Sequence, residues 1–299
     1  MPIPSGGGLA IVLAFSVAMG LIFFSIPCNI NALVALSSAL LVAAIGYAHV
    51  PTCWRFLAHV LVALFALLFL NGLPKLLLPM PIDWFFKRWI VDLGWLGYLL
   101  GTLLLVWFLN LFNSMDDADE IAVSESVFVS GSLAGYLYYL DQFSFVVAIS
   151  LVAASLGVLL WDWPKAKISM GDVGGRFLGL LLGILILMAT QQAAVLLYCG
   201  FILFGIFLVD STYTLLYRVL SGQKWYGDRC SHTYQRAVKQ YGHLKILLAC
   251  WAINLFWLLP ISLLVFLHPR YALLGLLWAY FPLLLLAYRF KAGQGDRIA

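Results

Sequence analysis

Residues 175–210 read GRFLGLLLGILILMATQQAAVLLYCGFILFGIFLVD, and this stretch decides the fold. From Phe177 to Val209 it holds no charged side chain, and Gln191 and Gln192 divide it into apolar runs near 175 to 191 and 193 to 210. A helix needs roughly 20 apolar residues to cross the ~30 Å hydrocarbon core of a bilayer. Each run is close to that length, so the stretch predicts two membrane spans joined in a tight hairpin at the glutamines.

The rest of the chain repeats the pattern. Apolar runs near 9 to 26, 31 to 47, 56 to 72, 95 to 112, 123 to 140, 143 to 161, 244 to 266 and 271 to 288 bring the expectation to about ten spans. The fold class expected is an all-α polytopic transmembrane helix bundle, with residues 1–299 forming a single integral membrane domain. Composition agrees: 64% of residues are hydrophobic and 10% charged, far from a soluble domain, and mean hydropathy is +1.01. The net charge of +4 is spread over short clusters between apolar runs, which is loop patterning and excludes a nucleic-acid footprint. The five cysteines, Cys28, Cys53, Cys199, Cys230 and Cys250, show no metal-ligand spacing. The amino terminus, MPIPSGGGLA, has no positive residue before its first apolar run and reads as the approach to a structural span rather than a cleaved leader.

Orientation follows from lysine and arginine. With both termini in the cytoplasm, the inside loops hold Arg55, Lys165, Lys167, Arg176, Arg218, Lys224, Arg229, Arg236, Lys239, Lys245, Arg289, Lys291 and Arg297. Lys75, Lys87, Arg88 and Arg270 fall outside, the asymmetry that the positive-inside rule predicts. Loops near 48–55, 113–122, 162–174 and 211–243 then share the cytoplasmic side. Segment 73–94, with Trp84 and Trp89, reads as an external interfacial linker.

Three loops carry chemistry. The first runs from Asn110 through Asn113 to Asp116, Asp117, Asp119 and Glu120. Such a carboxylate cluster at a membrane surface is stabilised by a cation, and hard oxygen donors suit Mg²⁺ with a phosphate substrate; a solvated helix cap is the equal alternative. The second loop, Trp163 to Arg176, combines Lys165 and Lys167 with Asp172 and Gly171, Gly174 and Gly175. Glycines admit a phosphate close to the backbone, lysines neutralise it, and one aspartate can hold a metal. The alternative is that the cations are topology anchors and the glycines pack helices. The third, Trp225 to Arg236, sets His232 among Arg229, Ser231 and Arg236, a group that could grip a diphosphate or merely lie at the surface.

In this order the loops resemble the polyprenyl-phosphate N-acetylhexosamine-1-phosphate transferases, glycosyltransferase family 4. That family includes phospho-MurNAc-pentapeptide translocase and the transferases that start O-antigen synthesis. The resemblance rests on Pro4-Ser-Gly6-Gly7-Gly8, on Asn113, Asp116 and Asp119, on Lys167, Met170, Gly171, Asp172 and Gly174, and on Ser231 and His232. It covers nearly the whole chain, and the stretch from Asp210 to Gln235 looks closest to the O-antigen branch.

The resemblance implies a multi-pass protein of the bacterial inner membrane that transfers N-acetylhexosamine 1-phosphate from a UDP-sugar to undecaprenyl phosphate. It initiates O-antigen or another envelope polysaccharide, with Mg²⁺, or Mn²⁺ in its place, as cofactor. It makes Asp172 the metal ligand, gives catalytic roles to Asp116, Asp119, Asp172 and His232, and assigns substrate to Asn113, Lys167, Arg229 and Ser231. Membrane lipid and a second copy of the chain are further partners to consider, and nucleic acid is not one.

The chain departs from the pattern as well. The adjacent aspartates expected after the second span are missing from Gly46 to Arg55, Asp117 and Glu120 stand where the motif has glycines, and Ser169 replaces an aromatic residue. Arg229 replaces a histidine, and the chain starts one span late relative to the pattern. These departures predict slow turnover, and they favour as the alternative a relative that binds lipid carrier or nucleotide sugar without turnover. A transporter is the third class; it would place ionisable residues at mid-membrane, and Asp210, which comes nearest to that, sits at a span end.

Overall fold

The computed structural model describes residues 6–25, 29–48, 51–83, 89–114, 119–162, 168, 170–222 and 232–294, the side chains of 52, 113, 114, 119 and 162 excepted. The chain divides into two compact units, Met1–Leu197 and Tyr198–Ala299.

The first unit contains α1 (Gly7–Ser25), α2 (Ile30–Tyr47), α3 (Thr52–Phe69), α4 (Trp95–Ser114), α5 (Asp119–Leu137), α6 (Gln142–Asp162) and α7 (Gly171–Gln192). Helix α7 is its axis: 94% of its apolar window is buried, and it packs against α1, α2, α4, α5 and α6. Glycine makes this contact density possible. A methyl group at Gly179 would lie 2.6 Å from the Phe108 carbonyl oxygen and 2.9 Å from Leu109 Cα, so α4 and α7 meet backbone to backbone, the small-residue mode of membrane helix packing. Between α3 and α4 the linker forms a two-residue antiparallel ladder, β1 (Leu76–Leu77) with β2 (Ile90–Val91). Trp89 beside it is exposed, while Trp84 lies outside the described residues.

Helix α5 departs from the expected span near 123 to 140. It starts at Asp119 and buries every residue from Glu120 to Val129, Glu120 and Glu125 included. Its serines meet protein rather than lipid, and Ser126 Oγ lies 3.1 Å from Ser155 Oγ of α6. A helix sheltered by neighbours keeps polar groups that lipid exposure would penalise.

The second unit contains α8 (Leu196–Leu203, beginning two residues before its boundary), α9 (Gly205–Leu220), α10 (Thr233–Tyr241), α11 (His243–Leu267) and α12 (Ala272–Arg289). Helices α8 and α9 are one apolar run broken at Phe204 and bent by 72°. The Tyr280 hydroxyl donates to the Phe201 carbonyl at 2.7 Å, satisfying backbone in the turn before the break. A wide π turn at Asn254–Leu258 in α11 precedes Pro260, whose ring cannot fit regular α geometry against the preceding turn. Pro282 lies inside α12, and Trp257 Nε1 donates to the Ala279 carbonyl in the turn before it.

A helix or bent helix pair therefore stands at each expected apolar run. Among the described residues seven helices are long and apolar enough to cross a membrane, and eight if the bent pair is one span. The apolar part of α3, Cys53–Phe69, is shorter, and α5 carries Asp119, Glu120 and Glu125 in its first two turns. These features separate the helix count from the expected ten spans.

Candidate functional site

The first turn of α7 is the meeting point of the first unit. Gly171 adopts φ +63°, a left-handed conformation natural to glycine, and turns the chain into the helix so that Asp172 falls in its first turn. Gly8 of α1 seats against this turn: its N–H donates to the Met170 carbonyl at 3.2 Å, and a methyl group there would lie 2.4 Å from Gly174 N. Gly46 of α2 lies against the Asp172 carbonyl, and Gly175 faces the Phe112 carbonyl near the end of α4. The starts of α1, α3 and α7 and the ends of α2 and α4 thus gather around Asp172. The glycines at 6 to 8 and 171 to 175, far apart in sequence, are two sides of one close contact.

Two guanidiniums hold the Asp172 carboxylate. Arg176, one turn along α7 and buried, donates to Oδ2 at 2.7 Å. Arg55, in the first turn of α3, brings Nη1 to 3.5 Å from the same oxygen. His59, one turn beyond Arg55, is 4% exposed and within electrostatic reach of Arg55, Arg176 and Asp172. Its Nε2 has no hydrogen-bond partner among the described residues.

A divalent cation calls for several hard anionic or neutral oxygen donors. The described donors here are one carboxylate between two guanidiniums, and like charge opposes a metal ion at that oxygen. Among the described residues no three of His, Cys, Asp and Glu come together. The described groups around Asp172 therefore do not fit Mg²⁺ or Mn²⁺.

In the second unit the corresponding feature is the start of α10. His232 precedes that helix, and its N–H donates to Gln235 Oε1 at 3.2 Å. Asp210, buried in the second turn of α9, accepts the Thr233 N–H at 2.8 Å through Oδ1. Its Oδ2 lies 3.8 Å from His232 Nδ1, and the Tyr234 ring stacks with the imidazole at 6.1 Å between centroids. A carboxylate at a helix N-terminus is favoured by the helix dipole. The arrangement sets an imidazole beside a buried carboxylate at the start of a helix.

Of the residues singled out in the sequence, Asp172 and His232 are described in full, one in each unit. Asn113 is in the last turn of α4 and Asp119 begins α5, their side chains outside the description; Asp116, Lys167, Arg229 and Ser231 lie outside the described residues. Sequence reasoning treated Arg55 and Arg176 as topology anchors and Asp210 as a span-end residue, and it passed over His59. The i, i+4 spacing of Asp172 and Arg176 was a readable signal; the pairings of Arg55 with Asp172 and of Asp210 with His232 had none.

Comparison with known proteins bears on this arrangement. A profile of glycosyl transferase family 4 matches residues 32–190, a stretch that includes Arg55, Asn113, Asp119, Asp172 and Arg176. A Bacillus subtilis (strain 168) protein named a probable undecaprenyl-phosphate N-acetylglucosaminyl 1-phosphate transferase is 31% identical over 149 residues, 48% of this chain and 41% of the relative. Phospho-N-acetylmuramoyl-pentapeptide-transferase of Vesicomyosocius okutanii is 24% identical over 203 residues, 61% of this chain and 53% of its own length. The enzyme of that name from Psychrobacter sp. (strain PRwf-1) is 28% identical over 145 residues, 42% of this chain and 38% of its own. The chain thus spans about half or less of the length of these relatives. The profile covers more than half of the chain, and on that match the chain belongs to glycosyl transferase family 4.

Proposed function

We propose that this protein transfers N-acetylhexosamine 1-phosphate from a UDP-sugar to undecaprenyl phosphate in the bacterial inner membrane, at the start of an O-antigen or other envelope polysaccharide. A lipid phosphate oxygen attacks the β-phosphorus of the UDP-sugar. The bond from that phosphorus to the bridging oxygen breaks, UMP leaves with that oxygen, and the sugar diphosphate stays on the lipid. A phosphate monoester is largely ionised at neutral pH, so the protein's work is to position two anions and offset their charge. The observation that carries the reading is the gathering of five helix ends on the Gly171–Asp172 turn. It sets a helix N-terminus and two guanidiniums beside a carboxylate at one end of an apolar bundle, a suitable seat for phosphate.

The same cluster favours a second reading, binding without turnover. Arg55 and Arg176 both engage Asp172, and a carboxylate so paired is less available to other ligands. The two readings part in one assay: purified protein is incubated with undecaprenyl phosphate and a panel of UDP-N-acetylhexosamines, with and without Mg²⁺, and UMP is measured. Release of UMP that requires both lipid and one UDP-sugar is the expected result. Binding of either substrate without UMP selects the second reading, and neither binding nor release refutes both.

A further inference from the structure

We propose that the turn Phe290–Gln294, which follows the last helix of the second unit, is a clasp that sets the position of α10 and with it of His232, Lys291 and Gly293 being its positioning residues. The proposal deepens the transferase reading and rests on it for what His232 does; the clasp itself rests on geometry. Helix α10 has 9 residues, fewer than the roughly 12–15 that a helix needs to be stable alone in water, and Gly242, at φ +86°, turns the chain away at its end. Its place therefore depends on its neighbours. Asp210 holds the first turn through the Thr233 N–H. Farther along, Arg236 Nη2 donates to the Gln294 carbonyl, and the Tyr241 ring meets the Phe290 ring edge to face at 6.3 Å between centroids. The same turn grips α9. Ala292 is 1% exposed, and a methyl group on Gly293 would lie 2.9 Å from Tyr217 Cβ and 3.1 Å from the Thr214 carbonyl oxygen. Thr214 is one turn beyond Asp210, so the clasp joins α10 to the helix that carries the carboxylate facing His232.

The shape of the clasp comes from its backbone. Lys291 takes φ +54° and Gly293 φ +79°, both left-handed. The Ala292 N–H donates back to the Ala287 carbonyl and the Lys291 N–H to that of Tyr288, each at 3.0 Å, the paired bonds that close a helix on a left-handed residue. The Lys291 side chain is exposed, so its contribution is conformational and can be altered with little loss of packing.

The test uses the full chain in nanodiscs and compares Lys291→Gly with Lys291→Val. Both lose the lysine; glycine keeps the left-handed turn and a β-branched residue opposes it. Hydrogen exchange of the Thr233–Tyr241 amides reports how firmly α10 is held. The NMR signal of the His232 imidazole, identified by its loss in His232→Gln, reports the surroundings of the ring. UMP release, with undecaprenyl phosphate and a panel of UDP-N-acetylhexosamines, reports function. In Lys291→Val, exchange in α10 should quicken about tenfold while that in α7 stays unchanged. The ring signal should move, and kcat should fall about tenfold with KM for the UDP-sugar within about threefold of wild type, the mark of a group that acts in the transition state. Lys291→Gly should match wild type within about twofold in each measurement. Phe290→Leu, which removes the ring contact with Tyr241 and keeps the turn, should act in the same direction as Lys291→Val and carries the test if that variant does not fold. The proposal is overturned if α10 exchange or the ring signal stays as in wild type in both Lys291→Val and Phe290→Leu, or if Lys291→Gly changes as much as Lys291→Val. The transferase reading fails separately: exchange and ring signal that respond as expected, with no UMP from wild type under any condition, keep the clasp and remove the reaction. UMP released by wild type and variants alike, with the ring signal unmoved, keeps the reaction and removes the clasp.

Discussion

The contact between α4 and α7 can be tested with single methyl groups. At Gly179 the new methyl would sit 2.6 Å from the Phe108 carbonyl oxygen and 2.9 Å from Leu109 Cα, both backbone atoms of a packed helix. At Gly183 its nearest neighbour is Leu105 Cδ2 at 2.8 Å, the end of a flexible side chain. At Gly157 of α6 nothing lies within 4 Å. Replacing glycine by alanine inside a helix is worth about 1 kcal/mol in propensity, and overfilling a packed site costs roughly 1–3 kcal/mol, more when the neighbour cannot move. Gly157→Ala should therefore be neutral or stabilising by up to about 1 kcal/mol, and Gly183→Ala should fall near zero as Leu105 changes rotamer. Gly179→Ala should be destabilising by about 1–2 kcal/mol or more after its propensity gain is subtracted. Unfolding midpoints of the three variants in one detergent, by heat or by titration with SDS, give the order directly. If Gly179→Ala is as stable as Gly157→Ala, the backbone contact at Phe108 does not exist and α7 is not the axis of the unit.

Other predictions concern charge and side. Asp210→Ala removes the buried acceptor of the Thr233 N–H and should destabilise the start of α10 by about 1–3 kcal/mol; Asp210→Asn should cost less, and hydrogen exchange at Thr233 reads the difference. Both termini should face the cytoplasm, so a reporter fused after Ala299 that works only in the periplasm would refute the assigned orientation. Inserting Asp-Asp between Ala48 and His49 should raise UMP release and its dependence on Mg²⁺ if the missing pair limits turnover. No gain would place the limit in the Arg55–Asp172 pairing or in the changed loop residues.

What the sequence made legible was local. Apolar runs gave the helices because lipid or packed protein must satisfy each of them, and most boundaries lie within a few residues of those expected. Helix α5 was the poorest match: its polar first turns, with Glu120, Ser124 and Glu125, look unlike a span until α6 and α7 are seen to shelter them. Motif residues were legible as chemistry and not as geometry. Gly8 could be picked out as a motif glycine, but that it fits against Met170 and Gly174 depends on how α1 meets α7. Arg55 obeys the positive-inside pattern whether or not a carboxylate faces it, so nothing in its neighbourhood announced Asp172. Asp210 likewise gave no sign of His232, because an unpatterned loop separates them and only the folded unit brings them together.

The break at Phe204 sets the reach of the helix pair that carries Asp210. Helix α8 has 8 residues and α9 has 16, with axes 72° apart; at 1.5 Å per residue they are ~12 and ~24 Å long. With α8 upright, the two rise only about 20 Å together, short of the ~30 Å hydrocarbon core. Laid end to end as a chevron with both arms leaning, they span about 30 Å. Asp210 stands in the second turn past the break, so the imidazole that faces it is tied to the bent pair itself, and any change in the 72° bend would carry the carboxylate with it.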